Sequence, residues 1–165
     1  MKKWFYYLNI FFIFSVLGYI FETIFIKHYE SGILYLPWTP VYGMGILVAL
    51  LIYQKIKNKY AKIIEILIIF LSSLIILSIL ECLAGNLIEL IFHKVYWNYT
   101  DLKFNFGKYI ALETALVWGI GSVLGVYLLI PLANKFERYI PQIISYLLLA
   151  TFIIDVIITL IVKTP

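Results

Sequence analysis

The sequence predicts an all-α integral membrane protein, a helical bundle with about five transmembrane helices in a single domain over residues 1–165. Hydrophobic residues make up 64% of the chain and charged residues only 13%, whereas a soluble domain is about half apolar. The mean hydropathy is +0.99, and the apolar residues are collected into runs long enough to cross a bilayer. The single cysteine, Cys82, excludes an intrachain disulfide.

The first predicted helix covers residues 4–26. Met1, Lys2 and Lys3 before an apolar run imitate a signal peptide. The run is nevertheless as long as a membrane span, and no small-residue cleavage site follows it. We therefore expect a retained transmembrane helix with Glu22 near its end.

The second predicted helix, residues 41–53, follows a polar patch at 27–32 and a proline-broken loop at 33–45. Two prolines and two glycines interrupt this apolar segment: Pro37, Pro40, Gly43 and Gly45. Proline bars helix and glycine allows unusual turns. Non-helical backbone at membrane depth is tolerated only where protein or a water cavity satisfies it. We expect a re-entrant or interfacial loop that completes the crossing of this short helix.

The third predicted helix, residues 61–93, is too long for a simple crossing. It follows the most basic loop of the chain, which contains Lys55, Lys57, Lys59 and Lys62. A helix of this length measures about 50 Å at about 1.5 Å per residue, whereas the hydrocarbon core is about 30 Å thick. The helix must tilt, kink near Gly85 or project beyond the membrane.

The fourth and fifth predicted helices cover residues 109–133 and 141–162. A polar loop rich in aromatic residues, 94–108, precedes the fourth helix, and aromatic residues are enriched at the lipid–water interface. Gly121 and Gly125 form a GxxxG pair, which predicts close helix packing.

The distribution of Lys and Arg predicts the orientation. With five spans, one side of the membrane holds eight basic residues: Lys2, Lys3, Lys55, Lys57, Lys59, Lys62, Lys135 and Arg138. The opposite side holds five: Lys27, Lys94, Lys103, Lys108 and Lys163. Short loops rich in Lys and Arg lie in the cytoplasm. We expect a multi-pass protein of the cell membrane with its N-terminus in the cytoplasm and its C-terminus outside.

This topology places four carboxylates in the outer half of the membrane: Glu22, Glu81, Glu113 and Asp155. Each would cost about 2.5–3.5 kcal/mol if it were unpaired at mid-helix, so we expect them to face one another or a wet cavity. The functional interpretation is an acidic pocket for a small solute, with a cation as a candidate, roofed by the loops 34–45 and 97–106. Glu65, near the inner face, can pair with Lys62 at i,i+3.

Residues 80–93 carry a stripe that would border this pocket. Glu81, Gly85, Glu89 and His93 recur at steps of four, so they share one helix face. The alternative is that each carboxylate is only a structural hydrogen-bond acceptor, with Glu89 simply interfacial.

The chain shows no pattern of a known catalytic or metal site. It lacks a GxSxG motif, a P-loop and the HxxxH and HExxH zinc patterns. We expect His28 and His93 to be surface residues. The sequence therefore predicts no enzyme, no cofactor and no metal site.

Several stretches resemble, in order, the motifs of one known family. Residues 18–22, GYIFE, resemble its GWxxE element, and residues 32–45, GILYLPWTPVYGMG, resemble its GxLxGPxxPIYGxG loop. Residues 81–93 resemble its ExxxG…ExxFH helix, and the segments WNY, NFG, LE and WG of residues 97–119 resemble its remaining elements. The family is that of the type IV ABC-transporter permeases, also called CmpB-like. Leu36 and Tyr19 depart from it, where glycine and tryptophan are commoner.

The resemblance implies a membrane transport subunit without an ATPase of its own. The implied partners are membrane lipids and either a separate ATPase subunit or further copies of the chain, but not nucleic acid. The alternative is a non-transporting membrane scaffold or assembly partner. Together with the carboxylates, the resemblance gives the predicted ligand-binding residues: Glu22, Tyr42, Glu81, Glu89, Glu113, Trp118 and Asp155.

Overall fold

The computed structural model describes residues 3–26 and 33–165 and confirms the all-α membrane fold. The helices are α1 (Lys3–Phe21), α2 (Pro40–Ile56), α3 (Lys62–Phe92), α4 (Leu112–Leu124), α5 (Ile130–Glu137) and α6 (Gln142–Lys163). Four helical stretches are long and apolar enough to cross a membrane, and α2 is a shorter apolar helix. The predicted polar patch at 27–32, with His28, lies outside the described residues.

The proline-broken loop is present between α1 and α2, but it ends at Thr39, so the prediction that Gly43 and Gly45 belong to it is wrong. A π-helical turn, Glu22–Ile26, continues α1, and residues 33–39 are not helical. Pro40 is the first residue of α2, where a missing N–H costs nothing because it has no partner inside the helix. Trp38 and Thr39 are buried, whereas Pro37 is exposed.

The third helix, α3, is continuous through Gly85. Its 31 residues correspond to about 46 Å. The helix ends where His93 adopts a left-handed conformation with φ of 49°, as is common at a helix C-terminus. The helix is thus unbroken at Gly85, and the choice between a tilt, a kink and a projection beyond the membrane stays a prediction.

The fourth predicted helix extends further than the sequence suggested. A π-helical turn, Gly125–Leu129, joins α4 to α5, which ends at Glu137. The predicted end at residue 133 is wrong. Proline lacks the N–H of the regular helix and its ring clashes with the carbonyl four residues earlier, and the wider turn before Pro131 relieves this clash without ending the helix.

The chain divides into two compact units. Unit 1 comprises Met1–Leu47 and Leu129–Pro165, and unit 2 comprises Val48–Leu128. In unit 1, the buried side chains Leu8, Phe12 and Trp38 form an apolar cluster against which Phe152 packs. In unit 2, α3 packs along α4.

The buried side chains of α6 are polar and many large apolar side chains of α3 are exposed, as expected for lipid as the solvent. The residues of α6 that are buried are all polar: Ser145, Asp155 and Thr159. Along α3, large apolar side chains such as Ile63, Leu67 and Leu71 are half or more exposed, at 63%, 50% and 53%. In water such a surface would be unfavourable, and in a bilayer it contacts acyl chains.

Close packing in unit 2 occurs at Gly119 and Gly85, and not at Gly121 of the predicted GxxxG pair. A Cβ on Gly119 would lie 2.7 Å from the Phe70 ring, and a Cβ on Gly85 would lie 2.6 Å from the Tyr109 ring. Nothing lies within 4 Å of a Cβ built on Gly121. The predicted close packing at Gly121 is therefore wrong, since the α4 face that carries Gly119 is the one directed at α3.

Candidate functional site

Glu81 is a buried acceptor near the middle of unit 2. The Tyr99 hydroxyl donates to its Oε1 at 2.6 Å, and the Trp118 indole Nε1 donates to its Oε2 at 2.9 Å. The two predicted site residues Glu81 and Trp118 are thus in direct contact. Both donors are uncharged, so the buried carboxylate gains hydrogen bonds without gaining a countercharge.

Glu89 lies two helical turns further along α3 and has a cationic partner. Lys108 Nζ lies 2.6 Å from its Oε1 and the Tyr109 hydroxyl donates to its Oε2 at 2.8 Å. Burial of the Tyr109 ring and its bond to this carboxylate raise the pKa of Tyr109 to about 12. Glu89 is therefore neutralised within the protein, and its predicted role as a solute ligand has no support from this geometry.

Glu113 lies in the first turn of α4, and only one of its two carboxylate oxygens has a hydrogen-bond partner among the described residues. The backbone N–H of Phe104 donates to its Oε1 at 3.1 Å. Its Oε2 is buried and has no hydrogen-bond partner among the described residues. A buried acceptor without a donor is uncommon in proteins and calls for an explanation.

Three carboxylates of unit 2 hold one connecting segment, residues 93–111. Glu81 binds Tyr99, Glu113 binds Phe104, and Glu89 binds Lys108 and Tyr109. The segment is also ordered by its own bonds, because Asn105 Nδ2 donates to the carbonyls of Thr100 and Leu102 at 3.0 and 2.7 Å. Within the predicted roof at 97–106, Tyr99 and Phe104 contact Glu81 and Glu113, whereas the acidic pocket itself stays a prediction.

Asp155 has a different role in unit 1. It accepts hydrogen bonds from the backbone N–H groups of Tyr35 and Leu36 at 3.0 and 3.1 Å and from the Trp38 indole at 2.8 Å. At the end of α6, Lys163 Nζ donates to the Ile33 carbonyl at 2.7 Å. The carboxylate satisfies the non-helical backbone of the proline-broken loop, which explains how that loop persists in an apolar environment.

The remaining predicted site residues also lie in unit 1. Tyr42 packs so closely on Gly18 that a Cβ there would overlap its ring. Gly43 and Gly45 are buried in α2, and Glu22 is partly exposed in the π-helical turn. The convergence of Glu22 and Asp155 with Glu81 and Glu113 stays a prediction.

The structure shows two further polar networks, of which the sequence predicted only the Lys62–Glu65 pair. In unit 1, Ser145 donates to Asn9 at 2.7 Å and Asn9 donates to the buried Glu137 at 3.1 Å. The sequence feature that could have revealed this network is Asn9, whose amide interrupts an apolar run. A polar side chain inside a membrane costs free energy unless it has a partner. In unit 2, Glu65 pairs with Lys62 at 3.7 Å as predicted, and also accepts the Asn58 backbone N–H at 2.6 Å.

Comparison with known proteins adds one match. The model of a family described as "Putative ABC-transporter type IV" matches residues 9–160. No curated protein matches the chain, and no solved structure matches it.

Proposed function

Because the chain belongs to the family described as "Putative ABC-transporter type IV", we propose that it is the membrane-embedded subunit of a transporter whose ATPase is a separate chain. The sequence carries no P-loop of its own, so ATP-driven transport requires that partner. The subunit is not an enzyme. It lies in the cell membrane with its N-terminus in the cytoplasm.

We further propose that Glu81 and Glu113 bind a small cationic solute. The observation that carries this proposal is the buried Oε2 of Glu113, which has no donor among the described residues. The donors shown for Glu81 and Glu113 are a phenol, an indole and a backbone amide, all uncharged. Glu81 is buried, as is the Oε2 atom of Glu113, and neither carboxylate has a countercharge among the described residues. This favours either protonation or a bound cation, and a cationic amine would supply both charge and N–H donors.

Replacing Glu113 by glutamine is expected to abolish binding of amines. The side-chain carbonyl can still accept from Phe104, but the second oxygen becomes an NH₂ group that repels an ammonium ion. Thermal unfolding of the purified protein would be measured with methylammonium, choline and putrescine. At least one amine should stabilise the unmodified protein and not the Glu113→Gln variant.

Glu89→Gln is the matched control for this experiment, because Lys108 already neutralises Glu89. This variant should keep the response to the amine. Equal stabilisation of the unmodified protein and the Glu113→Gln variant would contradict the acidic binding site.

The second candidate function is a non-transporting scaffold or assembly partner. It is favoured by the observation that Glu81, Glu89 and Glu113 each hold the segment 93–111, since structural acceptors would serve that purpose alone. A protein that responds to no amine but co-purifies with a stable membrane partner would support the scaffold instead.

The proposed orientation predicts which loops an external reagent reaches. In a Cys82→Ser background, cysteine would replace one of two exposed aromatic residues, Tyr60 or Phe106, which are 53% and 81% exposed. Neither change alters the balance of Lys and Arg. An impermeant maleimide applied to intact cells should label position 106 and not position 60, and the reverse pattern would contradict the orientation.

A further inference from the structure

The turn between α2 and α3 has a fixed conformation. We name residues 55–60 the basic turn. The Lys57 N–H donates to the Tyr53 carbonyl at 2.8 Å and the Lys59 N–H to the Ile56 carbonyl at 3.0 Å. Asn58 adopts φ of 63°, a left-handed conformation that asparagine tolerates well. Its N–H donates to the buried Glu65 carboxylate at 2.6 Å, which anchors the turn to α3.

The charges around the basic turn are divided between the interior and the surface. Lys62 lies 3.7 Å from Glu65 and 3.8 Å from the centre of the Tyr127 ring, so this lysine and the carboxylate neutralise each other. Among the residues that the structure describes, Lys55, Lys57 and Lys59 form no ion pair, and all three are exposed. The turn thus presents three positive charges within five residues, with no acidic residue between them.

The basic turn lies at the ends of two apolar helices. The surface of α3 is apolar from its first turn, where Ile63 and Ile64 are 63% and 44% exposed. Tyr60, beside the lysines, is 53% exposed, and tyrosine is enriched at the level of the lipid headgroups. With these apolar side chains among the acyl chains, the lysines would lie at the level of the headgroups.

We propose that the basic turn is a binding site for the phosphate groups of anionic phospholipids. The abundance of lysine by itself would follow from the orientation of the protein. A site is favoured because the turn is fixed by its hydrogen bonds and because Glu65 neutralises Lys62 but not the other three lysines. The exposed Tyr60 is also typical of the headgroup level. Each Lys beside an anionic membrane surface strengthens binding about fivefold.

The test compares two double variants of the full chain in phosphatidylcholine nanodiscs. Phosphatidylglycerol is titrated in, and thermal unfolding and the lipids retained in native mass spectrometry are measured. The Lys57→Gln/Lys59→Gln variant should bind phosphatidylglycerol on the order of 25-fold more weakly than the unmodified protein. The Lys57→Arg/Lys59→Arg variant should retain the binding, which would assign the loss to the positive charge, and a cooperative unfolding transition would show that the glutamine variant is folded.

The matched control is Lys94→Gln/Lys103→Gln, which removes two lysines from another polar loop of unit 2. Like Lys57, these two lysines lie over aromatic rings, at 5.2 and 5.4 Å. An equal loss in this control, or an undiminished response in the Lys57→Gln/Lys59→Gln variant, would overturn the proposal. So would an equal response to inorganic phosphate. If the double variant kept its lipid response but lost a co-purifying acidic protein, the surface would be assigned to that protein instead.

Discussion

Replacing Asp155 by alanine is expected to destabilise the protein by about 3–5 kcal/mol, because each buried donor left without an acceptor costs about 1–3 kcal/mol. Three donors depend on this buried carboxylate: two backbone N–H groups of the loop and the Trp38 indole. Backbone groups cannot rotate away to find another acceptor, and little water reaches them in a bilayer. The free energy of unfolding would be measured by titration with sodium dodecyl sulfate in mixed micelles.

Two variants calibrate this result. Asp101→Ala removes an exposed aspartate and should change the free energy of unfolding by less than about 0.5 kcal/mol. Trp38→Phe removes only one of the three donors and should leave the two backbone bonds intact. A loss after Asp155→Ala no larger than that after Asp101→Ala would show that Asp155 does not hold the loop, and would reopen its predicted role in ligand binding.

Replacing Gly43 by alanine is expected to destabilise the protein by about 2–3 kcal/mol, since over-packing a close contact costs about 1–3 kcal/mol. The new Cβ would overlap the Ser15 hydroxyl and lie 2.6 Å from the Phe11 carbonyl oxygen. The second contact is with backbone, which cannot move without shifting α1. The same unfolding titration measures the effect.

Gly121→Ala is the matched control, because Gly121 is also inside a helix and nothing lies within 4 Å of its added Cβ. Alanine there should stabilise the protein by about 0.5–1 kcal/mol, through the lower entropy cost of ordering the helix. Opposite signs at the two glycines are the expected outcome. A loss of stability at Gly121 would instead restore the GxxxG packing that the sequence suggested.

The sequence was sufficient for the membrane class, the positions of the helices and the broken loop. Apolar runs of membrane length and the prolines at 37 and 40 act locally, so they can be read without knowledge of the fold. Glu65 and Lys62 were also predictable as a pair, because residues three apart on a helix are neighbours.

The roles of the carboxylates required the tertiary structure. The sequence identified Glu81, Glu89, Glu113 and Asp155 as carboxylates that cost free energy inside a membrane. That cost is the same whether a carboxylate binds a ligand or accepts a structural hydrogen bond. The deciding partners are distant in sequence: Trp118 for Glu81, Lys108 for Glu89 and the loop backbone for Asp155.

Packing faces were likewise beyond the sequence. The chain offers Gly119, Gly121 and Gly125 within seven residues, and the GxxxG spacing favoured the last two. Only the rotation of α4 about its axis places Gly119 against Phe70 and leaves Gly121 without a neighbour. The sequence by itself thus determined which segments enter the membrane and which side chains cost free energy there. The tertiary structure decided which of those groups are already satisfied, because hydrogen bonds and close contacts depend on how distant segments are oriented toward one another.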